Sequence, residues 1–350
     1  MTPIAPTAPS APVRAPGTHS GRKAVGLAAL VALLFVMCIV SITFGARDVN
    51  LGTIWTALTD FDPASASQTV IREMRIPRTI IGLFAGMALG LAGALLQAST
   101  RNPLADPGVL GINQGAAAAI MLGFVFFGVH SLVAQVWIGF VGAGIAVLIV
   151  YSVASIGREG ATPIKLALSG VALAASLFAL ISALSMTNIE AYDEIRFWQV
   201  GSLAGRYYEV MWQTLPFLVI GSVIALFCGR ALNGLALGDD QAAALGQNVR
   251  RTRIMLFATV ALLCGAAVSA CGPIVFLGLA VPQIARLMVG TDWRWVLAYS
   301  AALAPSIFLG ADVIGRLVAS PGELQVGVVL GILGAPVFIG IVRSKKLATL

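Results

Sequence analysis

Apolar runs of about twenty residues recur along nearly the whole chain, and they narrow its possible folds more than any other feature. About twenty helical residues cross the hydrocarbon core of a bilayer, where each backbone polar group must bond within its own segment. Strands of a membrane barrel would be shorter and would alternate; these runs do not. Hydrophobic residues make up 58% of the 350 and charged residues 11%, against roughly 25% charged in soluble domains. The sequence therefore predicts an all-α polytopic membrane protein. Ten spans are expected, at roughly 24–45, 77–99, 109–129, 133–156, 164–185, 210–230, 253–271, 274–290, 295–318 and 326–343.

Residues 1–23, rich in Pro, Ala and Ser and closed by Arg22 and Lys23, read as a disordered cytoplasmic tail. The apolar stretch after them is too long for a signal peptide. Residues 24–345 read as one transmembrane domain. Ten spans put both termini on one face. That face collects Arg14, Arg22, Lys23, Arg101, Arg158, Lys165, Arg230, Arg250, Arg251, Arg253, Arg286, Arg294, Arg343, Lys345 and Lys346. The opposite face collects Arg47, Arg72, Arg75, Arg78, Arg196 and Arg206. The positive-inside bias predicts N-in, C-in.

"LGDDQAAALGQNVRR" (237–251) interrupts the apolar pattern on the basic face. After Gly238, either Asp239 or Asp240 suits a helix start as cap and as dipole partner. Ala242, Leu245 and Val249 recur at helical spacing, and Gly246 is placed to turn the chain. One reading is a pair of short helices across the membrane face, within 238–250, offering an apolar stripe to a groove. The other is a solvated loop with helical tendency.

Other chemistry is scarce. The chain has no G-x-x-x-x-G-K-[ST] phosphate loop and no H-E-x-x-H or G-x-S-x-G cluster. Its histidines are His19 and His130, and Cys38, Cys228, Cys264 and Cys271 all sit in apolar runs without ligand spacing. No catalytic residue and no metal site are expected, and no nucleic-acid partner. Asp312 and Arg316, one helical turn apart within a span, are expected to pair with each other. An ion-driven secondary transporter would need mid-membrane carboxylates and broken helices. A pump lacking both must draw energy from a partner.

Five stretches carry a family resemblance: "RIPRTIIGLFAGMALGLAGALLQASTRNPLADPGVLGINQGA" (75–116), "RFWQVGSL" (196–203), "LGDDQAAALG" (237–246), "GPIVFLGLAVPQIARLMVG" (272–290) and "GELQVGVVLGILGAPVFI" (322–339). They resemble the FecCD family of ABC-importer permeases for ferric siderophores, haem and vitamin B12, over about 25–345. "YDEIRFWQVGSL", "RALNGLALG" and "VGTDWRW" are most similar to the ferric-enterobactin type. The resemblance implies the type II importer architecture: ten helices per subunit, two subunits paired two-fold, and a pathway between them. A cytoplasmic ABC ATPase dimer consumes the ATP and Mg below. A substrate-binding protein or lipoprotein docks above. The second subunit is expected to be a paralogue rather than a second copy, and ferric siderophore is the expected cargo, with haem or cobalamin as alternatives.

On this resemblance Gly238, Asp239, Asp240, Ala242, Leu245 and Gly246 form the element that couples to the ATPase. Arg75 and Arg78, flanking Pro77, and Arg316 match docking arginines. Anchoring to lipid headgroups is the other reading of Arg75 and Arg78, and pairing with Asp312 that of Arg316. Asn102 and Pro103 belong either to a stiff turn or to the inner mouth of the pathway. Trp198 is either an interfacial anchor or, with Gly201 and Ser202, part of an outer bend that reshapes during transport. Ser169 and Gly331, among the small residues of spans five and ten, serve either close packing or the pathway wall. Gln283 stands where many relatives carry His.

Overall fold

Small residues spaced three and four apart in "GLFAGMALGLAGALLQ" (82–97) place one helix at the centre of the bundle. The computed structural model describes residues 17–45, 50–157, 162–320 and 322–343. Residues 1–16 of the expected tail, with Arg14, Arg47, Arg158, Lys345 and Lys346, lie outside the described residues.

Ten helices coincide with the ten expected spans: α1 (Gly17–Thr43), α4 (Ile76–Thr100), α5 (Ile112–Phe127), α6 (Leu132–Ala154), α7 (Pro163–Thr187), α9 (Tyr208–Phe227), α12 (Val249–Cys271), α13 (Leu277–Val289), α14 (Trp293–Val318) and α15 (Val326–Arg343). Seven of them are long and apolar enough to cross a membrane; α5, α13 and α15 are shorter apolar helices. Shorter elements lie between them: α2 (Leu51–Thr59), α3 (Ala66–Thr69), a π-helical turn Val70–Arg75, α8 (Ile189–Val200), α10 (Gly229–Ala236) and α11 (Asp239–Ala244). The described residues contain no strand. Asn50 and Asn188 start α2 and α8 by accepting from Thr53 N and Ala191 N, the ordinary N-cap role of Asn.

One boundary differs from the sequence reading. The two short polar helices are α10 and α11, and Leu237–Gly238 divides them. Gly238 takes φ +112 there, a backbone state that favours glycine. Gly246, at φ +82, turns the chain from α11 into the long α12, so residues 249–250 already belong to a span.

α4 is buried almost without interruption from Ala85 to Ser99 and packs on α14, α12, α13 and α9. Its glycines let the neighbouring backbones touch it. A Cβ on Gly86 would come 2.7 Å from Pro305 Cα, and a Cβ on Gly93 would fall on the carbonyl of Gly278 in α13. In lipid, where hydrophobic burial does not drive helix association, such contacts supply the dispersion energy that does. The periphery is looser. α7 packs on α5, α6 and α8, while α15 packs on α13 and α14. Both leave large apolar side chains outward, including Leu168 and Phe178 on α7 and Ile332 and Val337 on α15.

Replacing Gly93 with Ala is expected to cost about 1–3 kcal/mol through overpacking. Gly331→Ala, where a Cβ meets nothing within 4 Å, is expected to leave stability unchanged or raise it slightly. Thermal unfolding of the two variants in detergent measures the difference.

Candidate functional site

Candidate residues gather at both ends of α4. At its C-terminal end the chain leaves through Arg101, in the left-handed region at φ 51, and meets α11. Asp239 is the first residue of α11. Gly238 takes the cap position, and no side chain caps the helix. The Asp239 carboxylate instead holds two arginines: Arg101 Nη2 at 2.9 Å and Arg253 Nη2 of α12 at 3.0 Å. Asp240 is exposed in the same first turn, where its charge suits the helix dipole. The expected apolar stripe is divided. Ala242 is fully buried and Val249 packs against the core, whereas Leu245 is 71% exposed. Leu237 and Leu104 are exposed on the same end.

α10 is fixed to α14. Asn233 donates from Nδ2 to Asp292 Oδ1 at 2.7 Å and accepts from Trp293 N at 2.8 Å. Asp292 caps α14 and pairs with Arg294. Hydrogen bonds from the Arg294 side chain, helped by Asn233, hold the Asp292 carboxyl down at about 2. The α10–α11 unit is thus tied to α4, α12 and α14 together.

The turn after α4 is a built structure. Asn102 Oδ1 accepts from Leu104 N at 2.9 Å, and Pro103 O accepts from Gln283 Nε2 at 2.9 Å. Gln283 also donates to Gln97 Oε1 at 2.5 Å, and Gln97 Nε2 donates to Leu279 O at 3.0 Å. Both glutamines are buried. Gln283 therefore serves as a hydrogen-bonding tie between α4, α13 and the turn. Further along, Asp106 accepts from Gly108 N; burial pushes its carboxyl up, against the pull of that bond.

At the N-terminal end of α4 the three sequence-matched arginines surround one cavity of about 420 Å³, together with Arg206 and Glu323. Arg75 is buried and donates from Nη1 to the carbonyls of Ile42 and Thr43. Arg78 holds Asp312 with both arms of its fork, at 3.0 and 2.8 Å, and Glu323 at 2.8 Å. Arg316 meets the same Asp312 at 3.1 Å and donates to the carbonyls of Ser41 and Phe44. Pairing of Asp312 with Arg316 matches the sequence spacing; the bidentate grip of Arg78 does not appear in it. Headgroup anchoring does not describe Arg75 and Arg78, whose guanidinium groups turn inward to these partners.

A third cluster joins α8 to α15. Trp198 is buried, so it is no interfacial anchor. Gly201 takes φ +76. Ser202 N donates to Cys271 O at 2.7 Å, and Gly327 N donates to Gly201 O at 3.1 Å. Phe276, left-handed at φ 66, stands before α13 and against Gly334 of α15. Gly201 and Ser202 therefore sit where α8, the α12–α13 link and α15 converge. Ser169 on α7 and Gly331 on α15 are not brought together within the chain, because their helices pack on different neighbours.

The profile of the FecCD transport family matches residues 33–344. The chain belongs to the FecCD transport family. It is 44% identical to the ferric enterobactin transport system permease protein FepD of Escherichia coli K12, over 94% of this chain and 98% of that one. It is 38% identical to the probable siderophore transport system permease protein YfiZ of Bacillus subtilis, over 92% and 96%. A cobalamin import system permease protein, BtuC of Halobacterium salinarum, is 35% identical over 86% and 83%. Among solved structures, an inward-facing metal-chelate type ABC transporter superposes with TM-score 0.80 at 27% identity, over 91% of this chain and 99% of that one.

FecCD membership and the long apolar helices make this a multi-pass membrane protein, in bacteria one of the inner membrane. Membership also implies ATPase and substrate-binding partners in general. Within this FecCD chain the sequence reading missed Arg206, the Gln97–Gln283 tie and the two arginines on Asp239. The last two have no local spacing signal, since their partners come from different helices, and Arg206 stands alone in a loop.

Asp312→Asn is expected to destabilise the protein by about 3–5 kcal/mol, because it leaves buried guanidinium charge without its counter-ion. Chemical or thermal unfolding in detergent reads this, and Asp193→Asn, which breaks only the exposed pair with Arg196, is expected to change it by less than about 1 kcal/mol.

Proposed function

We propose that this chain is the transmembrane permease subunit of an ATP-driven importer that carries a ferric siderophore across the inner membrane. A separate cytoplasmic ABC ATPase dimer hydrolyses the ATP with its Mg, and the chain itself performs no covalent step. The observation that carries this reading is the α10–α11 unit. It is pinned to three long helices while presenting Leu237 and Leu245 outward, which suits a lever seated in a partner's groove. The end that bears it also holds Arg22, Lys23, Arg101, Arg230, Arg250, Arg251, Arg253 and Arg294, which supports placing it in the cytoplasm with both termini.

In this reading closure of the ATPase dimer moves Gly238–Gly246, and α4, α12 and α14 pass the motion across the membrane. A binding protein docks on the opposite end, at the cavity of Arg75, Arg78 and Arg316. The pathway runs between this chain and a second permease subunit, a paralogue in preference to a second copy. Its walls are the loosely packed α7 and α15 with Ser169 and Gly331, the turn at Asn102 and Pro103 lies at its inner mouth, and the bend at Trp198, Gly201 and Ser202 gates its outer one. Lipid covers the remaining outward apolar faces. The cargo brings its own iron ligands, so none is needed from the chain. The names of the relatives support a metal chelate, ferric siderophore first and cobalamin second. Ion coupling is disfavoured because Asp312, the buried carboxylate of the described spans, is held by two guanidinium groups.

Proteoliposomes holding the permease pair, the ATPase and the binding protein are expected to accumulate ferric siderophore only with ATP. Leu245→Glu, on an exposed position, is expected to reduce uptake at least tenfold with the permease still folded. Uptake driven by an ion gradient without ATP contradicts the proposal.

A further inference from the structure

Arg206 lies in the loop between α8 and α9, on the wall of the 420 Å³ cavity. It is 9% exposed, and its buried Nε has no hydrogen-bond partner. Burial lowers its pKa, with Cys271 and Glu194 opposing that shift, yet a guanidinium remains charged at any ordinary pH. Its three neighbours are engaged: Arg75 with carbonyls, and Arg78 and Arg316 with carboxylates. A buried cation left unpaired is costly, and each such group in a native structure asks for a partner.

The surroundings say what kind of partner. Glu323 occupies one arm of Arg78 at 2.8 Å, and its charge turns an incoming carboxylate away from that side towards Arg206. Met74 and Tyr207, each 43% exposed, flank the opening. Met, Tyr and Arg are the residue types enriched in the cores of protein interfaces. Leu203 gives the cavity an apolar wall that suits the methylenes of an acidic side chain, whose carboxylate a guanidinium fork can grip at two points.

We infer that Arg206 is the recognition point for an acidic side chain of the binding protein, inserted between Met74 and Tyr207. This rests on the permease reading above. Within the cavity the structure assigns Arg206 the open cationic position, while Arg78 is occupied in tying α4 to α14 and Arg316 in tying α14 to the end of α1.

The test uses the full permease–ATPase complex in nanodiscs and measures the Kd of the cargo-free binding protein at several salt concentrations. Arg206→Met is expected to raise the Kd at least tenfold and to flatten its salt dependence. The same change removes an unpaired buried charge, so the thermal stability of the complex is expected to hold or rise. Arg206→Lys is expected to recover part of the affinity, and Arg196→Gln, at an exposed pair elsewhere, to leave docking unchanged. Neutralising the surface Asp and Glu of the binding protein one at a time is expected to reveal one position that weakens docking to the natural permease and adds nothing to Arg206→Met.

Wild-type Kd in Arg206→Met overturns the inference. So does a fall in melting temperature with docking lost and not recovered by Arg206→Lys, which marks a structural role. Unchanged docking with an altered uptake KM also overturns it, in favour of contact with the cargo itself. If the binding protein fails to dock on the natural complex at all, the permease reading falls and this inference with it. Normal docking of the natural complex together with normal docking of Arg206→Met sinks the inference alone.

Discussion

Backbone contact along the glycine face of α4 is the constraint on which the rest of the packing depends. Gly82, Gly86, Gly90 and Gly93 bring α14 and α13 so close that added methyl groups have no space. That closeness buries α4 from Ala85 to Ser99 and makes it the shared neighbour of α9, α12, α13 and α14. It also decides where the ends of α4 emerge. Arg78 is carried to the foot of α14, beside Asp312. Arg101 is carried to the start of α11, beside Asp239.

The two ends use the same device with different strength. At each, one carboxylate is shared by two arginines from different elements: Asp312 by Arg78 and Arg316, and Asp239 by Arg101 and Arg253. Asp312 is 2% exposed, and removing it leaves the buried Arg316 guanidinium without its carboxylate. The side chain of Asp239 is 40% exposed and that of Arg101 47%, and water and salt weaken such pairs to about 0–1 kcal/mol. The cavity end is therefore a locked joint. The α11 end holds its geometry through ion pairs that can exchange partners, which suits an element gripped and released by another protein.

Periodicity and apolar run length place a helix in each of the ten expected stretches, because few charges interrupt them; seven of those helices are long enough to cross a bilayer and three are shorter. The pairing of Asp312 with Arg316 was readable as neighbours one turn apart. The grip of Arg78 on Asp312 was not, since 234 residues separate them and only the α4–α14 packing joins them. α2 and α8 escaped notice although Asn50 and Asn188 are ordinary helix caps, because their polar and apolar residues do not form a long run. The short helix α11 is legible from its acidic start and the glycine after its end. Its companion α10 falls mostly outside both readings, since the preceding span is expected to end at 230 and the short helices to lie within 238–250. The sequence leaves Trp198 as either an interfacial aromatic or part of an outer bend; in the fold it is buried, and its backbone lies close to Gly272.

If α4 and α14 act as one strut between the cavity and the proposed lever, their ends keep a fixed separation while the proposed pair of permease subunits rocks. Pulsed electron–electron distance measurements between labels at Met74→Cys and Leu245→Cys, in a background without Cys38, Cys228, Cys264 and Cys271, test this directly. The account predicts an intrasubunit distance that stays constant through ATP binding and hydrolysis, while the distance from Leu245→Cys to a label at the corresponding position of the second permease subunit changes. A shift of the intrasubunit distance as large as the change between subunits would contradict it.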